Sequence, residues 1–217
     1  MGYRTIKQEA SDEFIEKKST FIGHIKRVQN EEEAKSFINK IKGNHREARH
    51  NVYAYVIGEN LGVQRYSDDG EPQGTGGIPV LEVIKKAEIT DVCIVVTRYF
   101  GGILLGAGGL TRAYTKGASI AIKAAGIVEK VEAARVIIEI EYDLLGKLQY
   151  LIEQKSWFLE EINYGERVEL KLIGEEKANI ELLEEINALS KGKAGCEIED
   201  YTLYFKDEGK YLVDIER

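Results

Sequence analysis

The sequence of 217 residues contains only two cysteines, two prolines and one tryptophan, and it has no long hydrophobic run. Cys93 and Cys196 lie far apart in different kinds of segment, which excludes the disulfide framework of a small secreted domain. The apolar stretch at residues 92–97 is far shorter than the ~20 residues of a membrane-spanning helix. The first residues form no apolar segment typical of a secretory signal. We therefore expect a cytoplasmic protein with reduced thiols that does not insert into a membrane.

The net charge of −7 is unevenly distributed along the chain. Residues 1–132 contain 19 Lys and Arg against 17 Asp and Glu, a balance of +2. Residues 133–217 contain 11 against 20, a balance of −9. Neutralisation of phosphates supplies most of the non-specific affinity for nucleic acids, so we do not expect the C-terminal part to bind nucleic acid by itself.

Glycine and proline are concentrated in one stretch of the chain. Residues 67–117 contain both prolines and ten of the 22 glycines. The first block is Ser67–Gly77 (SDDGEPQGTGG), and the second is Arg98–Arg112 (RYFGGILLGAGGLTR). Glycine is the costliest residue to order and tolerates positive φ, so its concentration beside Asp, Glu and Arg indicates backbone that is shaped around a ligand. The two blocks locate a candidate site without indicating a reaction.

The pattern of predicted secondary structure changes near residue 130. Strands and helices surround the glycine blocks, including a helix at Glu31–Lys42 and a small-residue helix at Gly109–Ala125. A short connector is predicted at residues 128–134, and the order that follows, β-α-β-β-α-β, is typical of a ferredoxin-like unit. We expect an α+β protein with two domains, residues 1–130 and residues 134–217.

Three carboxylates, Asp68, Asp69 and Glu71, lie within four positions of the first block. Carboxylates this close repel one another unless a cation or a basic group neutralises them. One interpretation is a Mg²⁺ site with retained waters, or a hydrogen-bonding cluster for a ligand. The other is a turn without ligand, since Asp-Gly and Glu-Pro are typical of turns.

The second block follows a predicted buried strand and leads into a helix. Gly106, Gly108 and Gly109 let the backbone approach a ligand closely, and the N-terminus of a helix presents free N–H groups to an anion. Arg98 and Arg112 flank the turn and are suited to bidentate contacts with phosphate or carboxylate. In the alternative interpretation the glycines serve helix–sheet packing alone, and both arginines form internal salt bridges.

Histidine and tyrosine provide further candidates near the blocks. His50 precedes a predicted strand and is a candidate general base or anion contact, although a structural role is the more common one for such a histidine. Cys93 has apolar neighbours and is expected to be an inert core thiol. The tyrosines around the blocks, Tyr99 among them, are suited either to stacking on a base or sugar or to packing within a sheet.

Several segments together resemble the signature of the Impact/YigZ family. These are residues 67–77 (SDDGEPQGTGG), 97–102 (TRYFGG) and 105–114 (LGAGGLTRAY), and residues 48–55 (ARHNVYAY) are similar to the family's histidine-containing strand. The resemblance is specific over about residues 15–125 and weaker beyond them.

This resemblance implies an N-terminal domain like domain 2 of ribosomal protein S5 and a ferredoxin-like C-terminal domain similar to the last domain of translocation elongation factors. It also implies a factor linked to the regulation of translation, which binds RNA, the ribosome or a translation factor through a face rich in glycine and arginine. The candidate ligand-binding residues are His50, Asp68, Asp69, Glu71, Gly74, Thr75, Gly76, Arg98, Tyr99, Gly101, Gly102, Gly106, Gly108, Gly109 and Arg112.

The residues also allow a second hypothesis, a small-molecule enzyme. In it, Asp68, Asp69 or Glu71 hold Mg²⁺ and the second block holds the phosphate of a substrate for phosphoryl transfer. We favour the non-enzymatic interpretation.

Overall fold

The structure, a computed structural model, describes residues 2–213 of the chain. It contains two compact units, Tyr3–Val128 and a second one made of Gly2 and the described residues from Glu129 onward. Both units combine helices with strands, so the chain is a mixed α and β protein with two domains, as the sequence predicts at this level. No helix within residues 2–213 is long and apolar enough to cross a membrane.

The first unit is built on a five-stranded antiparallel sheet. Its elements are β1 (Tyr3–Ile6), β2 (Ala10–Glu16), β3 (Ser19–Arg27), α1 (Glu31–Asn44), β4 (His50–Ile57), β5 (Val63–Ser67), α2 (Gly77–Lys86), β6 (Val92–Tyr99) and α3 (Ala107–Ala125). The order of strands in the sheet is β2-β3-β6-β4-β5. Strand β6 therefore lies at the centre, and the two glycine blocks follow strands β5 and β6.

Helices cover both faces of this sheet. Helix α1 packs on one face, where its buried residues Phe37 and Ile41 join a cluster with Cys93 of β6. Helices α2 and α3 pack on the other face in a larger cluster that includes Val96 and Tyr114. A strand buried on both faces reads as a continuous apolar run, which explains the composition of β6. Burial also raises the pKa of the Cys93 thiol, as befits the inert core residue that the sequence predicts.

Helices α1 and α3 begin in different ways. The side chain of Asn30 caps α1 by accepting a hydrogen bond from the N–H of Glu33 (2.8 Å). Helix α3 begins at Ala107, two residues before the predicted start, after Gly106 with φ of 70°. No side chain caps this end of α3 among the residues that the structure describes. A Cβ on Gly23 of β3 would overlap the carbonyl oxygen of Gly117, so α3 lies against the sheet at a distance that requires glycine.

The second unit has its own sheet and core. Its elements are β7 (Ile127–Ile140), α4 (Tyr142–Lys155), β8 (Phe158–Tyr164), β9 (Val168–Gly174), α5 (Glu176–Ser190), β10 (Gly195–Ile198), β11 (Thr202–Asp207) and β12 (Lys210–Leu212). From β7 to β10 the order is β-α-β-β-α-β. The predicted last strand, Cys196–Phe205, is divided into β10 and β11, which pair with successive parts of β7.

The predicted connector at residues 128–134 is wrong. These residues belong to β7, a single strand of 14 residues in which Val131, Ala133 and Ala134 are buried. Residues 129–133 pair with β11, whose Lys206 lies opposite Glu129 and whose Thr202 lies opposite Ala133. This pairing joins segments about 70 residues apart, so nothing local in the sequence distinguishes the strand from a charged linker.

Candidate functional site

Asp68 organises the first glycine block. Its Oδ1 accepts hydrogen bonds from the N–H groups of Gly76 (2.9 Å) and Gly77 (2.8 Å), and its Oδ2 accepts one from Gly74 (2.8 Å). Partial burial disfavours the charged carboxylate, but the three amide hydrogen bonds outweigh it and hold the pKa of Asp68 below its usual value. Asp68 thus fixes the loop that leads into α2.

Asp69 ties the same loop to β4 and α1. It accepts hydrogen bonds from the backbone N–H of Asn51 (2.6 Å) and from the ammonium group of Lys42 (2.6 Å). Its carbonyl oxygen lies 2.8 Å from Nδ1 of His50. Because a carbonyl only accepts hydrogen bonds, Nδ1 of His50 carries a proton here.

Glu71 lies in a buried polar cluster. Its Oε1 accepts hydrogen bonds from Nη1 of Arg98 and from the hydroxyl of Tyr114, both at 2.7 Å, and it lies 4.0 Å from Nε2 of His50. The side chains of Glu71 and Arg98 are 4% and 7% exposed. Burial, together with the charge and hydrogen bond of Glu71, raises the pKa of Tyr114, so its hydroxyl remains a donor.

Strand register brings these residues to one face of the sheet. Arg98 of β6 lies directly opposite Phe21 of β3 and His50 of β4. Directly opposed residues project to the same face, so the three side chains form a row. The guanidinium of Arg98 lies 5.5 Å from the ring centroid of Phe21 and 5.4 Å from that of Phe100. Its Nε is buried and has no hydrogen-bond partner among the described residues.

The three carboxylates of the first block therefore have separate partners. Among residues 2–213 no group of three or more His, Cys, Asp or Glu side chains is placed to hold a metal ion. The Mg²⁺ interpretation of Asp68, Asp69 and Glu71 gains no support from this geometry, and Asp68 and Asp69 act instead on the loop itself.

The two glycine blocks meet in one cleft of about 390 Å³. Its polar lining consists of Arg49, His50, Glu71 and Arg98. Its apolar lining and its helix N-terminus come from Pro72, Phe100, Leu104, Leu105, Gly106, Ala107 and Leu110. Leu104 is 82% exposed and Phe100 is 38% exposed, so the rim presents apolar groups to solvent. We call this space the central cleft.

Arg112 does not line the central cleft. It lies in a second cavity of about 180 Å³ that is lined by Phe14, Glu16, Lys17, Leu105, Gly109, Arg112, Ala113 and Lys116. The alternative interpretation, internal salt bridges, holds for Arg98 and not for Arg112, because no described residue forms an ion pair with Arg112.

The remaining predicted residues shape the loops. The hydroxyl of Thr75 donates to the carbonyl oxygen of Pro72 (2.6 Å), and the hydroxyl of Tyr99 lies 2.9 Å from Nδ1 of His45. A Cβ on Gly101 would overlap the carbonyl of Lys18, whereas Gly102, with φ of 84°, has open space around it.

Sequence reasoning missed several residues that line the two cavities. Arg49 and Phe100 lie at the central cleft, and Lys17 and Lys116 lie at the second cavity. The guanidinium of Arg49 lies 5.7 Å from the ring centroid of Phe100. An aromatic residue inside a glycine block and an arginine beside His50 are signals that point to the first two. Lys17 and Lys116 are far apart in the sequence, and the folding of the chain brings both to the second cavity.

The chain is similar to known proteins in both of its units. Residues 17–122 match the family model "Impact N-terminal domain", and residues 138–193 match "Domain of unknown function (DUF1949)". The chain is 46% identical to "IMPACT family member YvyE" of Bacillus subtilis (strain 168), over 89% of each chain. It is 36% identical to "IMPACT family member YigZ" of Escherichia coli (strain K12), over 64% of this chain and 69% of that one.

A solved structure, "Crystal structure of an hypothetical protein", is also similar, with a TM-score of 0.57 and 27% identity over 92% of this chain and 98% of that one. The resemblance predicted from the glycine blocks is thereby confirmed by the family model and by a relative that aligns with 89% of the chain. The chain belongs to the IMPACT family.

Proposed function

We propose that this protein is a cytoplasmic factor linked to the regulation of translation, and that it binds single-stranded RNA in the central cleft. One observation carries the proposal. Arg98 is more than nine-tenths buried, its Nη1 is held by Glu71, and its Nε has no hydrogen-bond partner among the described residues. An unsatisfied buried donor is costly, and an anion in the cleft would satisfy it.

A phosphate group matches what the cleft offers. Glu71 engages Nη1 of Arg98, so the Nε–Nη2 edge of the planar guanidinium is left for a bidentate contact with two phosphate oxygens, which requires the ligand to displace the groups that cover the buried Nε. The N-terminus of α3 adds backbone N–H groups and the positive end of the helix dipole, with no acidic residue in its first turn. Both features favour an anion over a neutral ligand.

The apolar rim favours a nucleotide over a free phosphate. Phe100 is partly exposed, and its ring contacts the guanidinium groups of both Arg49 and Arg98. Single-stranded nucleic acids are commonly bound by stacking of bases on such aromatic and guanidinium surfaces. A cleft of about 390 Å³ has the size of a small-molecule site, which suits one nucleotide of a strand.

The position of His50 favours RNA over DNA as the ligand of the central cleft. Its Nδ1 is held by the carbonyl of Asp69, so in the neutral ring Nε2 is an acceptor at the cleft. A ribose 2′-hydroxyl is a donor that DNA lacks. RNA as the ligand also agrees with the link to translation that the family resemblance implies.

We also infer the finer fold that the resemblance implies. The five-stranded antiparallel sheet with α2 and α3 on one face supports a unit like domain 2 of ribosomal protein S5. The β-α-β-β-α-β order of the second unit supports a ferredoxin-like domain. A net charge of −9 on residues 133–217 supports an RNA site in the first unit.

Fluorescence anisotropy with labelled single-stranded RNA of about 12 nucleotides tests the proposal, over a series of salt concentrations. Phe100→Ala should weaken binding by about 5- to 150-fold, the value of one stacked base. Arg49→Ala should weaken binding and reduce the salt dependence by about one phosphate contact. Arg65→Ala, an exposed arginine of β5 beside Glu31 of α1, is the matched control and should bind normally.

Two results would contradict the proposal. The first is the absence of RNA binding by the unchanged protein even at low salt. The second is an equal loss of affinity in Arg65→Ala and Arg49→Ala, which would show that charge anywhere on the unit suffices.

Phosphoryl transfer with Mg²⁺ is the weaker proposal, because the three carboxylates of the first block are engaged with separate partners. Thermal shift measurements with nucleotides test it. Stabilisation that requires both nucleotide and Mg²⁺ would favour the enzyme, since a ligand that binds the native state raises the melting temperature.

A further inference from the structure

The second cavity lies on the other side of the α3 N-terminus from the central cleft. Its walls come from β2, from the turn between β2 and β3, and from the face of α3 that carries Gly109, Arg112 and Lys116. Leu105 lines both cavities and is their shared wall. We call the second cavity the cationic pocket, after Lys17, Arg112 and Lys116.

The charges of the cationic pocket are not balanced within the protein. Lys17, Arg112 and Lys116 are exposed, and none of them forms an ion pair with a described residue. Glu16 is the only carboxylate in the lining that the structure describes. The ammonium group of Lys116 lies 4.2 Å from the ring centroid of Phe14, so an aromatic face holds this cation in place. Three cations against one carboxylate favour a bound anion.

Next to Leu105, backbone without side chains also lies between the two cavities. A Cβ on Gly106 would have no described atom within 4 Å, and a Cβ on Gly108 would come no closer than 3.7 Å to Nη1 of Arg112. Packing at the Cβ position therefore requires neither glycine, and the φ of 70° is the backbone reason for glycine at position 106. Their lack of side chains lets a ligand pass close to the first turn of α3, where no described side chain caps the N–H groups.

The walls of the two cavities are also joined structurally. Gly101 lies directly on the turn that carries Lys17 and Lys18, where a Cβ would overlap the carbonyl of Lys18. Its N–H donates to Oγ of Ser19 (3.1 Å). The segment that carries Phe100 is thus fixed to the turn that carries Lys17, and the stacking surface and the cations keep a constant spacing.

We propose that the cationic pocket is a second phosphate subsite for the same RNA strand. The strand crosses the N-terminus of α3 at Gly106 and Gly108, with one base stacked on Phe100 and a more distant phosphate bound by Arg112 and Lys116. This inference rests on the proposed function. The first turn of α3 is about 10 Å wide, so one nucleotide in the central cleft does not reach the pocket and a longer strand does.

Anisotropy with two lengths of RNA tests the subsite. The probes are a labelled single nucleotide, a nucleoside monophosphate, and a strand of about 12 nucleotides, and the variant is the double substitution Arg112→Ala/Lys116→Ala. The longer strand should lose at least about tenfold in affinity, the value of one charged hydrogen bond. The slope of its salt dependence should fall by about 0.7 for each phosphate that the variant no longer neutralises. Binding of the single nucleotide should not change. Lys123→Ala, an exposed lysine in the last turn of α3, is the matched control.

The outcomes separate this inference from the proposed function. If the unchanged protein binds both probes and the double variant binds the longer strand normally, the second subsite is wrong and the central cleft stands. The second subsite is also wrong, and the central cleft stands, if the double variant loses affinity equally for the short and the long probe. If the unchanged protein binds neither probe, the proposed function is wrong and the subsite with it. Preferential binding of an acidic peptide of equal charge would also overturn an RNA subsite.

Discussion

Glu71 and Arg98 form a hydrogen-bonded ion pair of 2.7 Å in which both side chains are more than nine-tenths buried. The pair joins the first glycine block to the central strand β6, and the hydroxyl of Tyr114 attaches it to α3. A buried charge that keeps its partner is tolerated, whereas one that loses its partner is strongly destabilising. The pair therefore fixes the floor of the central cleft and positions the guanidinium for a ligand.

Substitution of Glu71 or Arg98 alone should destabilise the protein. Glu71→Leu leaves the buried charge of Arg98 unpaired and should lower the free energy of unfolding by about 3–5 kcal/mol, measured by urea denaturation. The double variant Glu71→Leu/Arg98→Met removes both charges and should be more stable than the sum of the single changes implies. Additive effects of the two changes would show that the pair is not coupled.

Asp68 should determine how the first block responds to acid. Its folded-state pKa is lowered, so the stability that it contributes is present above the unfolded-state pKa of about 3.9 and is lost as pH falls through the lower folded-state value. Asp68→Asn places an amide donor where Oδ2 accepts from Gly74, and should cost about 1–3 kcal/mol at neutral pH. Below about pH 4 the two proteins should converge in urea denaturation. A constant difference at all pH values would contradict this account.

His24 should make the first unit less stable as pH falls from about 6.5 to about 4. Burial, and next the neighbouring His45, lower the pKa of His24 from 6.5 to about 4. In this window the unfolded chain binds a proton and the folded protein does not, so stability falls with pH by at most about 3 kcal/mol. His24→Gln removes the titrating group and should flatten the pH dependence of the melting temperature across the window. An unchanged slope would mean that other groups govern it.

Two glycines of the second block should respond in opposite ways to alanine. Gly101→Ala forces a Cβ into the carbonyl of Lys18 and should destabilise the protein by about 1–3 kcal/mol. Gly108→Ala lies in a helix, where the nearest atom to the added Cβ is Nη1 of Arg112 at 3.7 Å, and should leave stability unchanged or raise it by about 0.5–1 kcal/mol. The same Gly108→Ala change should weaken RNA binding, because the Cβ obstructs the path across α3. Normal binding would argue against a close approach there.

Local sequence was sufficient for part of this architecture. The spacing of Phe37, Ile38 and Ile41 predicts α1, and the glycine blocks predict the position of a candidate site but not that the two blocks meet in one cleft. Local sequence does not predict contacts between segments that are far apart along the chain. Three carboxylates in four positions read as one cluster, yet strand β4, helix α1 and strand β6 each supply a different partner for Asp69 or Glu71.

Arg98 and Arg112 illustrate the same limit. Both flank the second glycine block, and the sequence indicates a shared turn. In the structure Arg98 points from the central strand into the central cleft, while the helical rotation after Gly106 brings Arg112 into the cationic pocket. A helix that begins two residues earlier than predicted changes which residues share a face.

Photo-crosslinking most directly tests the central claim that RNA lies in the central cleft. A single-stranded RNA that carries 4-thiouridine would be irradiated with the full-length protein, and the crosslinked peptides would be identified by mass spectrometry. The account predicts crosslinks within the peptide that carries Phe100 and their loss in Phe100→Ala, with crosslinking unchanged in Arg65→Ala. Crosslinks confined to residues 133–217, or unchanged in Phe100→Ala, would contradict it.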